Sequence, residues 1–206
     1  MSKKIIIFDL DGVLINSINN MKFSWGKVQS KHKVKKRFSD YSRYIGLPFR
    51  TILKKLKIKK DLKEIESTYN EASIKNINKI HLYNGATRTL NILKKKYKIA
   101  IVTSKNRKRT NMILKKKKLN INLVISPNKK LNGKPSADSI LEVLKMSNIK
   151  KKKEAIYIGD MKTDFLTAKN AGITYIQSNY GYSKFKHKYS INSINQLPML
   201  LNHINF

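Results

Sequence analysis

The chain has 206 residues, 40% of them hydrophobic, which is enough for one sizeable core and a small extra module. It carries 45 Lys and Arg against 12 Asp and Glu, a formal net charge of +33, and no cysteine, which excludes disulfides and thiolate metal sites and fits a reducing cytoplasm. No segment approaches the roughly 20 apolar residues of a membrane span, and the short apolar run between Lys4 and Asp9 is too brief for a signal-peptide core.

Residues 4–9 read as a buried strand ending at Asp9. Residues 16–80 contain no strand pattern. Within them, 16–31, 48–57 and 61–78 read as helices, the last with Ile65, Tyr69, Ala72 and Ile77 on one face. Further on, short β-branched runs at 99–102, 121–125, 155–158 and 173–176 alternate with helical stretches at 86–96, 106–118, 136–146 and 162–171. That alternation predicts an α/β fold: a doubly wound, Rossmann-like parallel sheet with helices on both faces. The helical module interrupts it after the first strand. The expected organisation is a discontinuous core, 1–15 and 81–206, and a small inserted helical cap, 16–80.

The charge resembles a nucleic-acid footprint, but its make-up points elsewhere. Only six of the basic residues are Arg, and the abundance of Lys, Ile and Asn matches AT-rich codons. The runs Lys94–Lys96, Lys115–Lys118 and Lys150–Lys153 fall at helix ends just before strands, which is the N-terminal edge of a parallel sheet. Ligands in open α/β sheets bind at the opposite edge. Aromatic residues do not interleave with the Lys runs as a stacking groove requires. These runs are therefore expected on a solvated surface, and nucleic acid is not expected as a specific partner.

The chemistry-bearing residues stand at strand ends. Asp9 and Asp11 are two apart, so their side chains can point to one side, and Gly12 permits a tight turn. Alone, the pair reads equally as an ordinary Asp-Gly turn. Thr103 and Ser104 close the strand at 99–102 and read alone as a helix N-cap. Lys134, in Gly133-Lys134-Pro135, precedes a helix start. Asp160 follows Gly159, and Asp164 lies one helical turn on, a pattern shared with N-cap acids. Together, these ends converge on one edge of a parallel sheet. The set offers a carboxylate nucleophile, a second carboxylate for proton transfer, a divalent-cation site, a lysine and a hydroxyl, which phosphoryl transfer uses.

In that order the motifs resemble the haloacid dehalogenase-like hydrolase superfamily, in particular its phosphoglycolate phosphatase-like branch with a helical cap. Phe8-Asp9-Leu10-Asp11-Gly12-Val13-Leu14 is similar to the first motif and Val102-Thr103-Ser104-Lys105 to the second. Gly133-Lys134-Pro135 and Gly159-Asp160 through Asp164 are similar to the third and fourth. The resemblance implies that Asp9 attacks phosphorus and becomes an aspartyl phosphate, and that Asp11 serves as general acid and then base. It implies Mg²⁺ held by Asp9, the Asp11 backbone carbonyl and Asp160, supported by Asp164, with Thr103, Ser104 and Lys134 binding the phosphoryl oxygens. Dehalogenases and phosphonate hydrolases of the superfamily lack the second Asp, present here as Asp11.

In the cap, Arg43 and Arg50 flank a Gly46/Pro48 loop and are candidates for a carboxylate or second phosphate of the substrate. Trp25 and Phe23 read as cap core. The expected enzyme is a Mg²⁺-dependent phosphatase of a small phosphorylated metabolite, phosphoglycolate or a sugar phosphate, in a monomer or homodimer. The alternatives are a sugar phosphomutase on the same core and a basic nucleic-acid-binding or nucleic-acid-end phosphatase protein.

Overall fold

The structure, a computed structural model, describes residues 4–183 and 185–206. The strands in chain order are β1 (Ile5–Phe8), β2 (Ile15–Asn16), β3 (His81–Leu82), β4 (Lys98–Val102), β5 (Leu123–Ile125), β6 (Ala155–Gly159), β7 (Thr174–Ser178) and β8 (Ser190–Ile191). Among the described residues, six of them form one sheet in the order β5-β4-β1-β6-β7-β8. All of its pairings are parallel.

β1 lies inside this sheet because all four of its side chains are apolar and both of its faces are covered. The pleat sends Ile6 and Phe8 into one core and Ile5 and Ile7 into the other. The first core is closed by α5 (Ala86–Lys94), α6 (Arg107–Lys116) and α9 (Leu197–His203), through Leu90, Leu93, Ile113 and Leu197. The second is closed by α7 (Asp138–Met146) and α8 (Lys162–Ala171), through Ile140, Val143, Ala168 and Ala171. Fully burying an aliphatic side chain contributes about 1.5–3 kcal/mol, so the strand that presents Asp9 is firmly anchored. The sequence expected these five longer strands and α5 to α8, with bounds shifted by a few residues. It did not anticipate β8 or α9, whose signals are short.

Between β2 and β3 the chain builds α1 (Ile18–His32), α2 (Phe38–Ser42), α3 (Phe49–Lys55) and α4 (Leu62–Lys75). These helices have a core of their own, with Trp25, Val28, Leu53, Ile65 and Tyr69 buried together. Asp61 starts α4 by accepting the backbone N–H groups of Lys63 and Glu64 at 2.7 and 3.2 Å. The absence of strand expected across 16–80 is corrected at its edge. Ile15 and Asn16 pair antiparallel with Leu82 and His81, forming a two-stranded ribbon where the chain leaves and re-enters the sheet. Two-residue strands are too short to leave a periodic signal. The helix α2 was also unread.

The Lys runs lie where the alternation places them, at the sheet edge where β4, β5 and β6 begin, and they are largely exposed. No helix among the described residues is long and apolar enough to cross a membrane.

Candidate active site

The loops leaving β1, β4 and β6 meet at one edge of the sheet. Asp9 continues the ladder, its N–H donating to the Ile158 carbonyl at 2.8 Å. Thr103 does the same toward Ile125 at 3.0 Å. Asp160 follows Gly159 on the other side of β1. Strand register therefore fixes three of the predicted residues side by side. This is also where chain direction across the sheet reverses, with β4 and β5 on one side of β1 and β6 to β8 on the other.

Lys134 arrives from the loop before α7 and ties the centre together. Its Nζ donates to Asp9 Oδ1 at 2.8 Å and to Asp164 Oδ1 at 2.7 Å, with only 3% of its side chain exposed. The Tyr157 hydroxyl lies 3.0 Å from the same Asp164 oxygen. Asp164 Oδ2 accepts the backbone N–H groups of Asp160 and Met161 at 3.2 and 2.9 Å, which secures the first turn of α8. Both Asp164 oxygens are thus committed to holding other groups.

Asp160 is different. Its Oδ2 accepts the Tyr182 backbone N–H at 2.6 Å, but its Oδ1 is buried with no hydrogen-bond partner. Such an orphan is costly unless something positive meets it. One oxygen from each of Asp9, Asp160 and Asp164 lies within 4.8 Å of the others. All-oxygen ligation of this kind suits a hard divalent cation. Asp9 and Asp160 have the capacity to ligate it, while Asp164 orients its neighbours. Gly12 makes the approach possible. It takes φ +78°, and a Cβ there would overlap the Asp160 carboxylate.

Crowding sets the charge states. Burial pushes the Asp9 carboxyl up to about 7, opposed by the Lys134 charge and reinforced by Asp164 and Asp11. Asp160 is raised for the same reason, burial first and then the charges of Asp164 and Asp9. Burial alone would lower Lys134, but Asp164 and Asp9 outweigh it and hold the ammonium above its usual range. The centre packs three carboxyl groups around one lysine, more than Lys134 could balance if all were ionised, which again fits a cation.

Asp11 sits apart from this knot. Its Oδ1 accepts the Ser17 hydroxyl and lies 3.2 Å from Lys105 Nζ. Ser17 is in turn fixed by its backbone N–H donating to the Tyr182 hydroxyl at 2.7 Å. Burial pushes Lys105 down to about 8, opposed by Asp11. Thr103 is buried, and its Oγ1 accepts the Lys105 N–H at 3.1 Å.

Asp9, Asp11, Thr103, Lys105 and Lys134 line a chamber of about 50 Å³ together with Met21, Tyr41, Ile45, Gly46, Leu47, Phe49 and Tyr69 of the helical insert. That is room for only a few water molecules. A larger outer groove shares Phe49, Ser104 and Arg109 with the chamber, so those residues stand between it and solvent.

Three candidates are placed differently from expectation. The Ser104 hydroxyl donates to the Gly46 carbonyl of the insert at 2.6 Å, so it bridges the insert and the sheet edge rather than facing a phosphoryl group. Arg43 is exposed and lines neither cavity. Arg50 lies on the outer groove, where its Nε donates to Glu66 at 2.6 Å. The cations that do face the chamber are Lys105, Arg109 and Lys134. Lys105 and Arg109 were not singled out, because one more basic residue carries little information among 45. The signal for Arg109 was its rarity as an arginine and its spacing, one helical turn before the apolar Ile113.

A sequence profile of the haloacid dehalogenase-like hydrolase family matches residues 6–177. Among individual relatives, a phosphoglycolate phosphatase of Aquifex aeolicus is 27% identical over 186 residues, 88% of this chain and 87% of that protein. The pyrophosphatase PpaX of Bacillus mycoides is 26% identical over 212 residues, 97% of both. A hydrolase from Pseudomonas syringae superposes with a TM-score of 0.85 at 24% identity, covering 98% of each chain. A haloacid dehalogenase-like family hydrolase from Streptococcus pneumoniae gives 0.84 at 20% identity, covering 96% of this chain and 98% of that one. At these identities the superpositions establish the fold. The profile match, across most of the chain and all four motifs, settles the family: this protein is a haloacid dehalogenase-like hydrolase.

Proposed function

We propose that the chain is a Mg²⁺-dependent phosphatase of a small phosphomonoester, working through an aspartyl phosphate at Asp9. The observation that carries this reading is the pairing of two buried carboxylates with different surroundings at the end of β1. Asp9 is held by Lys134 beside the orphaned Asp160 oxygen. Asp11 is held separately by Ser17 and Lys105 on the chamber wall.

Each residue then has a task. A carboxylate oxygen of Asp9 attacks phosphorus, the bond from phosphorus to the ester oxygen breaks, and Asp11 gives that oxygen its proton. A water then attacks the phosphoryl group, Asp11 takes its proton, and inorganic phosphate leaves as the Asp9 carboxylate is restored. Lys134 and Thr103 stabilise charge on the phosphoryl oxygens. Asp9 and Asp160 would hold the Mg²⁺, which supplies Lewis-acid polarisation of the phosphoryl group when bound. The Ser17 hydroxyl and Lys105 orient Asp11 for both proton transfers. The insert excludes bulk water, and the Ser104 to Gly46 hydrogen bond holds it against the sheet edge.

The small chamber, about 50 Å³, favours a small substrate. The test is phosphate release from a panel of small phosphoesters, with Mg²⁺ and with chelator, by wild type and Asp9→Asn. Release that needs Mg²⁺ and is lost in Asp9→Asn supports the proposal. Release undiminished by either change overturns it.

A further inference from the structure

The phosphatase chemistry leaves one charged group of the chamber unused. Arg109 stands on the first turn of α6, and the residue is only 5% exposed. Its Nη1 donates to the Asn70 side-chain oxygen at 3.2 Å, and its Cζ lies 5.0 Å from the centre of the Tyr69 ring. Its Nε is buried with no hydrogen-bond partner. A guanidinium stays charged at any working pH, and a buried charge is costly unless an anion meets it.

Among the described residues no anion does. The two other chamber cations are each matched, Lys134 by Asp9 and Asp164 and Lys105 by Asp11. Among the described residues, Arg109 forms no ion pair with a carboxylate. Beside it, the Tyr41 and Tyr69 hydroxyls are 3.0 Å apart. Burial holds both phenols protonated. One hydroxyl can donate to the other, which leaves one O–H of the pair free for a further acceptor.

We infer that Arg109, with the Tyr41 and Tyr69 hydroxyls, forms a subsite for a second anionic group on the substrate, a carboxylate or a second phosphoryl group close to the scissile ester. The inference rests on the phosphatase reading of the same chamber and narrows its substrate class. Because Arg109 and Asp9 line the same small chamber, the class is small phosphoesters that carry a second anionic group, such as carboxyalkyl phosphates and diphosphates. Arg109 is a specificity residue, distant in role from the groups that touch the transferred phosphoryl. Its planar fork suits both a carboxylate and a phosphate.

A near-isosteric substrate pair tests this. 2-Phosphoglycolate and ethyl phosphate differ chiefly in one carboxylate. Wild type is expected to favour 2-phosphoglycolate in kcat/KM by about 10-fold or more, the size of a charge-assisted contact. Arg109→Met removes that preference, mainly through KM, and changes turnover of ethyl phosphate by less than about threefold. Arg109→Lys restores part of it. No preference in wild type, or an equal loss on both substrates in Arg109→Met, overturns the inference while leaving the phosphatase reading intact. Hydrolysis of neither substrate by wild type counts against the phosphatase reading instead. The subsite is then judged by calorimetric binding of 2-phosphoglycolate and pyrophosphate to Asp9→Asn and to Asp9→Asn/Arg109→Met. Weaker binding to the double variant supports the subsite, and equal binding overturns it.

Discussion

Replacing Lys134 with Met probes how the centre is held together. The side chain is nearly volume-conserving, so packing changes little. What goes is an ammonium lying 2.8 Å from Asp9 and 2.7 Å from Asp164. At an effective dielectric near 20, each contact is about 6 kcal/mol of gross attraction. Desolvating the ions returns several kcal/mol apiece, so the gross figure is no guide to the net. Truncation leaves two buried carboxylates unmatched, and breaking a buried pair in this way costs about 3–5 kcal/mol. For a domain of this size, that lowers the melting temperature by about 6–20 °C. The assay is urea or thermal unfolding in chelator, so that bound cation does not mask the loss. Adding Asp9→Asn to Lys134→Met should return part of the stability, because one unmatched charge is gone. A loss below about 1 kcal/mol in Lys134→Met, or no recovery in the double variant, would refute the account of Lys134 as the counter-charge of the centre.

Further expectations follow from the same geometry. Gly12→Ala should weaken Mg²⁺ binding at least tenfold by isothermal calorimetry, because the new Cβ displaces the Asp160 carboxylate, and it should add about 1 kcal/mol of backbone strain. Unchanged affinity would remove Asp160 from the cation site. In chelator, stability should fall as pH rises from about 4 to about 7, between the unfolded and folded values of Asp9. Asp9 has a folded value near 7, above its unfolded one, so the folded state is favoured while it is protonated and loses that advantage as it ionises. Saturating Mg²⁺ should abolish the fall in melting temperature, and a rise in chelator would reverse the assigned sign. Ser104→Ala should raise KM and speed proteolytic cleavage of the insert by several-fold, with kcat less affected, because it frees the Gly46 loop from the sheet edge. Arg50→Ala should change stability by no more than about 1 kcal/mol, because its partner Glu66 lies on the outer groove and the pair is solvent-screened.

The residues that the sequence placed best are those whose position is set by strand register. Asp9, Thr103 and Asp160 each follow a short apolar run, and a parallel sheet has no freedom but to bring such ends together. Lys134 and Asp164 were readable for a related reason, since Lys134 lies in the loop that leads into α7 and Asp164 in the first turn of α8, and both helices pack back on that sheet. Arg43 and Arg50 show where the reasoning stops. A loop between two helices of an insert fixes no direction for a long side chain, and Glu66 captures Arg50 on the outer face. Lys105 and Arg109 were hidden for the opposite reason. Their value lies in burial, which depends on the insert closing over α6, and no local pattern separates a buried lysine from dozens of solvated ones. The β2 and β3 ribbon escaped because its register is set by the two sheet crossings rather than by its own two-residue segments.

The central claim is that Asp9 carries the phosphoryl group. Acid quenching during steady turnover of a small phosphoester, followed by peptide mass spectrometry, tests it most directly. The account predicts a phosphoryl adduct on Asp9 that vanishes in Asp9→Asn and decays once the substrate is exhausted. Rapid phosphate release with no adduct at any quench time, or an adduct on another residue, would contradict it.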